Sequence, residues 1–330
     1  MNATLDRIDI HAHAFPEVFL RKIAAYYPDA VKLREPARED ERLVAYWAGA
    51  PLPAWDSARR LREMERDRVA VEILSAPTIY SRLDEHTVEL CALLNDFQAE
   101  AVAACPERFR SFLHLPVHDV DAVARELARW QGHPEIAGVV FGSNMGGRYP
   151  GEAIFERVWE TIHEAKLPVF IHPVTPGACF GPAVPTIVLF PCDTTVAAAS
   201  MIYGGLFERY ADLRVILSHY GGTLPFLARR LDMAIDIPGF PPGHGQDLPS
   251  LPSSYVSRFY LDAAQGFHRP AFECARSLVG IERMLYGSDH FFTASTWRQR
   301  LNEFIDELEL SADDRRALLE GNARRLLPCF

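Results

Sequence analysis

Six cysteines (Cys91, Cys105, Cys179, Cys192, Cys274 and Cys329) occur in 330 residues, but no two of them form a Cys-x-x-Cys pair. That scatter argues against a disulfide framework or a cysteine-rich zinc site and suits reduced thiols in the cytoplasm. Positive charge is also short. Thirty-four Lys and Arg face 44 Asp and Glu, a formal net charge of −10, so the basic footprint of a nucleic-acid binder is missing. No apolar run approaches the span of a membrane helix, and no membrane partner is expected. Met1 to Asp6 shows no basic region leading into an apolar stretch, so no secretory signal is expected. Neither G-x-G-x-x-G nor G-x-x-x-x-G-K-[ST] follows any strand, which removes the main support for dinucleotide and P-loop folds. The 48% apolar and 24% charged residues that are present describe an ordinary globular enzyme.

Arg7-Ile8-Asp9-Ile10-His11-Ala12-His13 alternates apolar and polar residues with the period of a strand. His11 and His13, two apart, project from one side of an extended backbone and can share a divalent ion. Residues 16–56 read irregularly, with a helix from Phe19 to Tyr27 and the breaker Pro51-Leu52-Pro53. We expect this insertion to fold over the histidines as a lid. Beyond it, helices alternate with strands. Helices are predicted at Ser57–Asp67, Leu83–Cys105, Val120–Trp130, Ile154–Ala165, Thr194–Tyr210, Thr223–Ala234 and Ala271–Leu278. Strands are predicted at Val69–Ser75, Phe109–Leu115, Ile136–Phe141, Val169–Ile171, Arg214–Leu217, Phe259–Leu261 and Met284–Tyr286. With the first strand these make eight, nearly all separated by a helix, which fits a closed (β/α)8 barrel in an α/β chain. No linker divides the chain, so a single domain over 1–330 is expected, with a Pro- and Gly-rich excursion at 237–252.

A barrel gathers its catalytic groups at the C-terminal ends of its strands. Those positions hold His11 and His13 after the first strand, His172 after the fifth, His219 after the sixth and Asp289 after the eighth. Each is a metal ligand or an acid/base, and chance alone does not readily place five on one face. Arg82, after the second strand, is a candidate for a substrate carboxylate; Tyr80 sits nearby. His290, Phe291 and Phe292 follow Asp289 and are candidates for the pocket wall. His114 precedes its strand end and reads as structural. Asp193, before Thr194-Thr195, reads as a helix N-cap. His86, His118, His133, His163, His244 and His268 receive no role.

The strand-end pattern, with Phe190-Pro191-Cys192-Asp193-Thr194-Thr195, Leu206-Phe207-Glu208-Arg209-Tyr210, Ser218-His219-Tyr220-Gly221-Gly222 and Gly321-Asn322-Ala323-Arg324, resembles the amidohydrolase superfamily. The nearer likeness is to its decarboxylase-like branch, which includes aminocarboxymuconate-semialdehyde, γ-resorcylate and 6-methylsalicylate decarboxylases. The resemblance implies that His11, His13, His172 and Asp289 bind one Zn²⁺, with Mn²⁺ as the alternative, and that no organic cofactor is needed. It implies that His219 is a catalytic acid/base, and that the protein is a homodimer. Ile136 to Asn144 contains no lysine, where two-metal relatives often carry a carboxylated one, so one ion is implied. Two clamp arginines of the aminocarboxymuconate-semialdehyde enzymes are missing, one within Gly49–Ala54 and one near Pro238.

Three imidazoles and a carboxylate leave a divalent ion Lewis acidic with an open position. The function expected is therefore non-oxidative decarboxylation of a small aromatic or muconate-like carboxylic acid, with Asp289 carrying the proton. Hydrolysis of an ester, lactone or amide at the same site is the alternative, because fold and ligands do not fix the reaction.

Overall fold

The computed structural model describes residues 5–38, 41–47, 50–174, 185–237, 247–292 and 294–330. Cys179, His244, Pro238 and most of the 237–252 excursion lie outside these residues.

The chain opens with β1 (Arg7–His13), buried at every position. It then leaves the main sheet for α1 (Glu17–Tyr26), β2 (Val31–Arg34), β3 (Val44–Trp47) and β4 (Ala50–Pro53). It returns through α2 (Ser57–Asp67) and β5 (Val69–Ser75). There follow α3 (Thr87–Ala104), β6 (Phe109–His114), α4 (Val120–Trp130), β7 (Ile136–Gly142), α5 (Glu156–Glu164) and β8 (Val169–His172). The second half holds α6 (Thr186–Tyr203), α7 (Leu206–Arg209), β9 (Val215–Leu217), α8 (Leu224–Leu227), α9 (Met233–Asp236) and β10 (Tyr260–Asp262). Last come α10 (Arg269–Val279), β11 (Met284–Leu285), α11 (Ser295–Glu307), α12 (Ala312–Arg316) and α13 (Asn322–Leu326).

The main sheet runs β1-β5-β6-β7-β8-β9-β10-β11, with every neighbouring pair parallel. Its ends meet: Ile10 N–H donates to Tyr286 O at 3.1 Å and His13 N–H to His290 O at 2.7 Å. This is the (β/α)8 barrel expected. Strands covered on both faces need continuous apolar runs, and Val139, Val140, Phe141, Phe170, Ile171 and Ile216 are wholly buried. Asp56 and Asp119 cap α2 and α4 by accepting from Arg59 N and Ala122 N, which fixes where these helices begin.

Four expectations are corrected. The insertion is not irregular: β2, β3 and β4 form an antiparallel sheet, and prolines at Pro51 and Pro53 are tolerated because β4 is its edge. The helix predicted from Thr194 to Tyr210 starts earlier, at Thr186, and breaks at Gly204-Gly205 before α7, where Gly205 takes φ +67°. Asp193 is therefore no N-cap. It lies inside α6, with its carboxylate accepting from Ser143 Oγ, Asn144 Nδ2 and Tyr149 Oη. Finally, α6 has the length and composition to cross a membrane, contrary to the expectation that no apolar run comes near that span; the bonds of Asp193 tie it to the barrel instead.

Candidate metal centre

The strand ends converge on one point. The ligand atoms of His11, His13, His172 and Asp289 all lie within 4.8 Å of one another, and all four residues are buried. Asp289 Oδ1 is 3.0 Å from His13 Nε2 and 3.2 Å from His11 Nε2. Ligands at about 2.05 Å around a tetrahedral ion stand about 3.3 Å apart, so the spacing fits one divalent cation.

The outer hydrogen bonds fix the imidazole tautomers. His11 Nδ1 is 2.8 Å from Asp262 Oδ2, and His172 Nδ1 is 2.6 Å from Pro173 O. Ser75 Oγ donates to Ala12 O and so accepts from His13 Nδ1 at 3.2 Å. With each Nδ1 carrying a proton outward, every Nε2 is the ring nitrogen turned inward, the one a metal would take. The buried Nε2 of His172 has no hydrogen-bond partner among the described residues. Such an orphaned acceptor is costly unless a ligand meets it.

Electrostatics agree. Burial lowers His13 and holds His172 well below the ordinary imidazole range, leaving both neutral as ligands must be. Burial would also lower His11, but Asp262 and Asp289 outweigh it and raise it to about 10. Asp289 is held well below the carboxylate range: burial opposes this, and His11, His13 and His219 prevail. A divalent ion bound at His11 Nε2 would displace that proton and leave this ring neutral like the other two.

His219 stands beside this group, its Nε2 3.4 Å from Asp289 Oδ2, while its backbone N–H donates to Asp262 Oδ1 at 2.9 Å. Gln265 Nε2 donates to the same Asp289 Oδ2. His219, Tyr220, Gln265 and Asp289 all hold φ between +55° and +57°, a left-handed conformation that non-glycine residues adopt at a cost and that often marks functional sites. Gly287 has a steric reason: a Cβ there would lie 2.9 Å from His11 Cβ.

The remaining candidates divide. Phe292 packs edge-on to His13 at 5.0 Å between ring centroids and Phe291 at 6.4 Å, so both adjoin the centre. His290 is buried but turns its Nε2 to Glu63 at 2.9 Å. Arg82 is not brought into the group: its guanidinium pairs with Asp84 and lies over the Tyr27 ring, and its side chain is 55% exposed. Tyr80 is buried, with its hydroxyl oxygen accepting from Leu115 N–H, so it does not face the centre as a ligand group. His114 is structural, holding Ala76 N–H and Asn95 Oδ1 with its two ring nitrogens. Sequence reasoning missed Asp262, Gln265 and Glu63. Asp262 alone left a signal, since it ends the strand predicted to stop at Leu261.

An eight-stranded parallel barrel with three imidazoles and a carboxylate at its strand ends defines a metal-centred (β/α)8 protein. The chain belongs to the amidohydrolase family, whose profile matches residues 8–329. It is 26% identical to the 2-amino-3-carboxymuconate-6-semialdehyde decarboxylase of Dictyostelium discoideum, over 97% of this chain and 91% of that one. It is 28% identical to a gamma-resorcylate decarboxylase of a Polaromonas species, covering 81% of this chain and 86% of that one. The crystal structure of a Polaromonas dihydroxybenzoic acid decarboxylase with bound manganese superposes with a TM-score of 0.75 at 25% identity, covering 99% and 97% of the two chains.

Proposed function

We propose that this chain is a metal-dependent, non-oxidative decarboxylase of a small aromatic or muconate-like carboxylic acid. The observation that carries the proposal is the division of labour on Asp289. Its Oδ1 faces His11 and His13, while its Oδ2 faces His219 and Gln265. His11, His13, His172 and Asp289 would hold a divalent ion, which would supply Lewis acidity to the oxygens of an acid substrate. Asp289, held ionised in the free site, takes up a proton through His219 and passes it to the ring carbon that bears the carboxylate. The C–C bond breaks, its electron pair restores the aromatic ring, and CO₂ leaves. His219 draws that proton from water or a phenol of the substrate, and its transfer to carbon leaves Asp289 ionised as at the start. Phe291 and Phe292 give the substrate ring an apolar wall. The curated relatives, decarboxylases of such acids by name, support this reading.

Three imidazoles and a carboxylate suit zinc; manganese, bound by the Polaromonas relative, is the alternative. We place the enzyme in the cytoplasm as a homodimer, to be checked by cell fractionation and light scattering. The reaction is tested with protein loaded with either metal, offered salicylate- and resorcylate-type acids beside a panel of esters and lactones. Release of one CO₂ per product without oxygen uptake is expected. Cleavage of the esters or lactones with no CO₂ from any acid would overturn the lyase in favour of a hydrolase. His219→Asn should retain metal and lose about 10²- to 10⁴-fold in kcat.

A further inference from the structure

A cavity of about 430 Å³ opens between the β2–β4 sheet and helices α2 and α11. Its charge runs against that of the whole chain. Arg34, Arg42, Arg59, Arg66 and Arg298 line it, with Glu63 as the only acid among its described residues. Much of that charge is already matched. Arg66 and Arg298 share Asp67, and Glu63 is divided among Arg59, Arg60 and His290. Arg34 and Arg42 are left over, with no ion pair among the described residues. Arg42 is half-buried, and its one hydrogen bond goes to the Ala54 carbonyl at 3.0 Å. Burial and the like charge of Arg59 push its pKa down and outweigh Asp56 and Glu63, which raise it, so a further anion would relieve the cation.

The rest of the wall suits a flat apolar body. Val44, Pro51, Pro53 and the Tyr46 ring come from the sheet, and Phe291 and Phe292 close the inner side. Those two phenylalanines also pack against His13, so the cavity adjoins the metal centre across an aromatic partition.

We propose that this cavity binds an anionic group, carboxylate or phosphate, carried on or beside a small flat molecule, with Arg42 as its main contact and Arg34 as the second. Two sources share that chemistry: the distal anionic group of an acid held at the metal centre, or a free anion. The site does not depend on the proposed reaction; only the first source does.

Calorimetric titration of the metal-loaded full chain with inorganic phosphate, benzoate and benzene-1,3-dicarboxylate tests the proposal, since it reads binding rather than turnover. For a free anion, phosphate binds wild type, weakens as salt is raised, and binds Arg42→Gln about ten- to a hundredfold more weakly. For a distal group, the dicarboxylate binds more tightly than benzoate and Arg42→Gln removes that advantage. Arg42→Lys, which keeps the charge, should bind better than Arg42→Gln at equal thermal stability, which separates lost contact from lost folding. Equal binding of all three probes by wild type and both variants overturns the site, as does an Arg42→Lys no better than Arg42→Gln.

Discussion

Asp262 holds two parts of the centre at once, His11 through its ring Nδ1 and His219 through its backbone N–H. It also accepts from Ala264 N–H at 2.9 Å, so its carboxylate is pinned from three sides. A carboxylate behind a metal-ligating histidine fixes the ring and its tautomer, and losing one costs about 10- to 100-fold in metal affinity. Asp262→Asn should show a loss of that size in a competitive chelator titration, with circular dichroism unchanged. Unaltered affinity would mean that Asp262 is mere packing. The histidines and Asp289 were legible in the sequence because each carries chemistry and each follows an apolar run. Asp262 left only its place after Leu261 as a signal, because a three-residue strand offers too short a run to show that its last residue is the strand end. Asp193 misled for a related reason. Aspartate before two threonines has the look of a cap, and only the fold shows it buried against Ser143, Asn144 and Tyr149.

Barrel strands such as β5 and β7 could be read nearly to the residue, since burial on both faces leaves a continuous apolar run between polar helix caps. The β2–β4 sheet could not, because its strands are short, its edge carries prolines, and its pairing is local and antiparallel. The strap between α3 and β6 was equally invisible. Asn95 donates to His114 O at 2.9 Å and accepts from His114 N–H at 2.8 Å, and it meets the His114 ring as well. Sequence periodicity places Asn95 on a helix but says nothing of a partner 19 residues away. Asn95→Ala would leave a buried N–H and C=O without partners, at a cost of about 1–3 kcal/mol each when unrelieved by water. Thermal unfolding should register a loss of about 2–4 kcal/mol with the metal content retained. A drop within experimental error would show that water replaces the strap.

Across the whole molecule an excess of acidic groups sets how stability responds to acid. Glu63, Glu126 and Asp84 are all held below the ordinary carboxylate range. In each case burial opposes the shift and donors overcome it; for Glu126 these are Arg129, Asn95 and Trp130. A carboxyl whose folded pKa is depressed contributes stability that is fully present above its unfolded value, about 4.3 for Glu, and lost as pH falls through the folded one. Asp9 runs the other way, raised by burial against the hydrogen bonds and Arg60 that lower it, so acid relieves it. The three paired groups outnumber this single opposing one. Burial also holds the His114 and His290 imidazoles below their ordinary range, so the unfolded chain takes up those protons first. Urea midpoints should therefore begin to fall below about pH 6.5 and drop further below about pH 4.5. Glu126 sits on the same network as Asn95, donating nothing and accepting from Asn95 Nδ2 at 2.7 Å and Trp130 Nε1 at 2.9 Å. Glu126→Gln should cost about 1 kcal/mol at pH 7, and the gap to wild type should narrow as pH falls below about 4.3, where the paired carboxylate's contribution begins to be lost. A gap that stays constant down to pH 3 would mean that packing, not charge, holds this corner of the barrel.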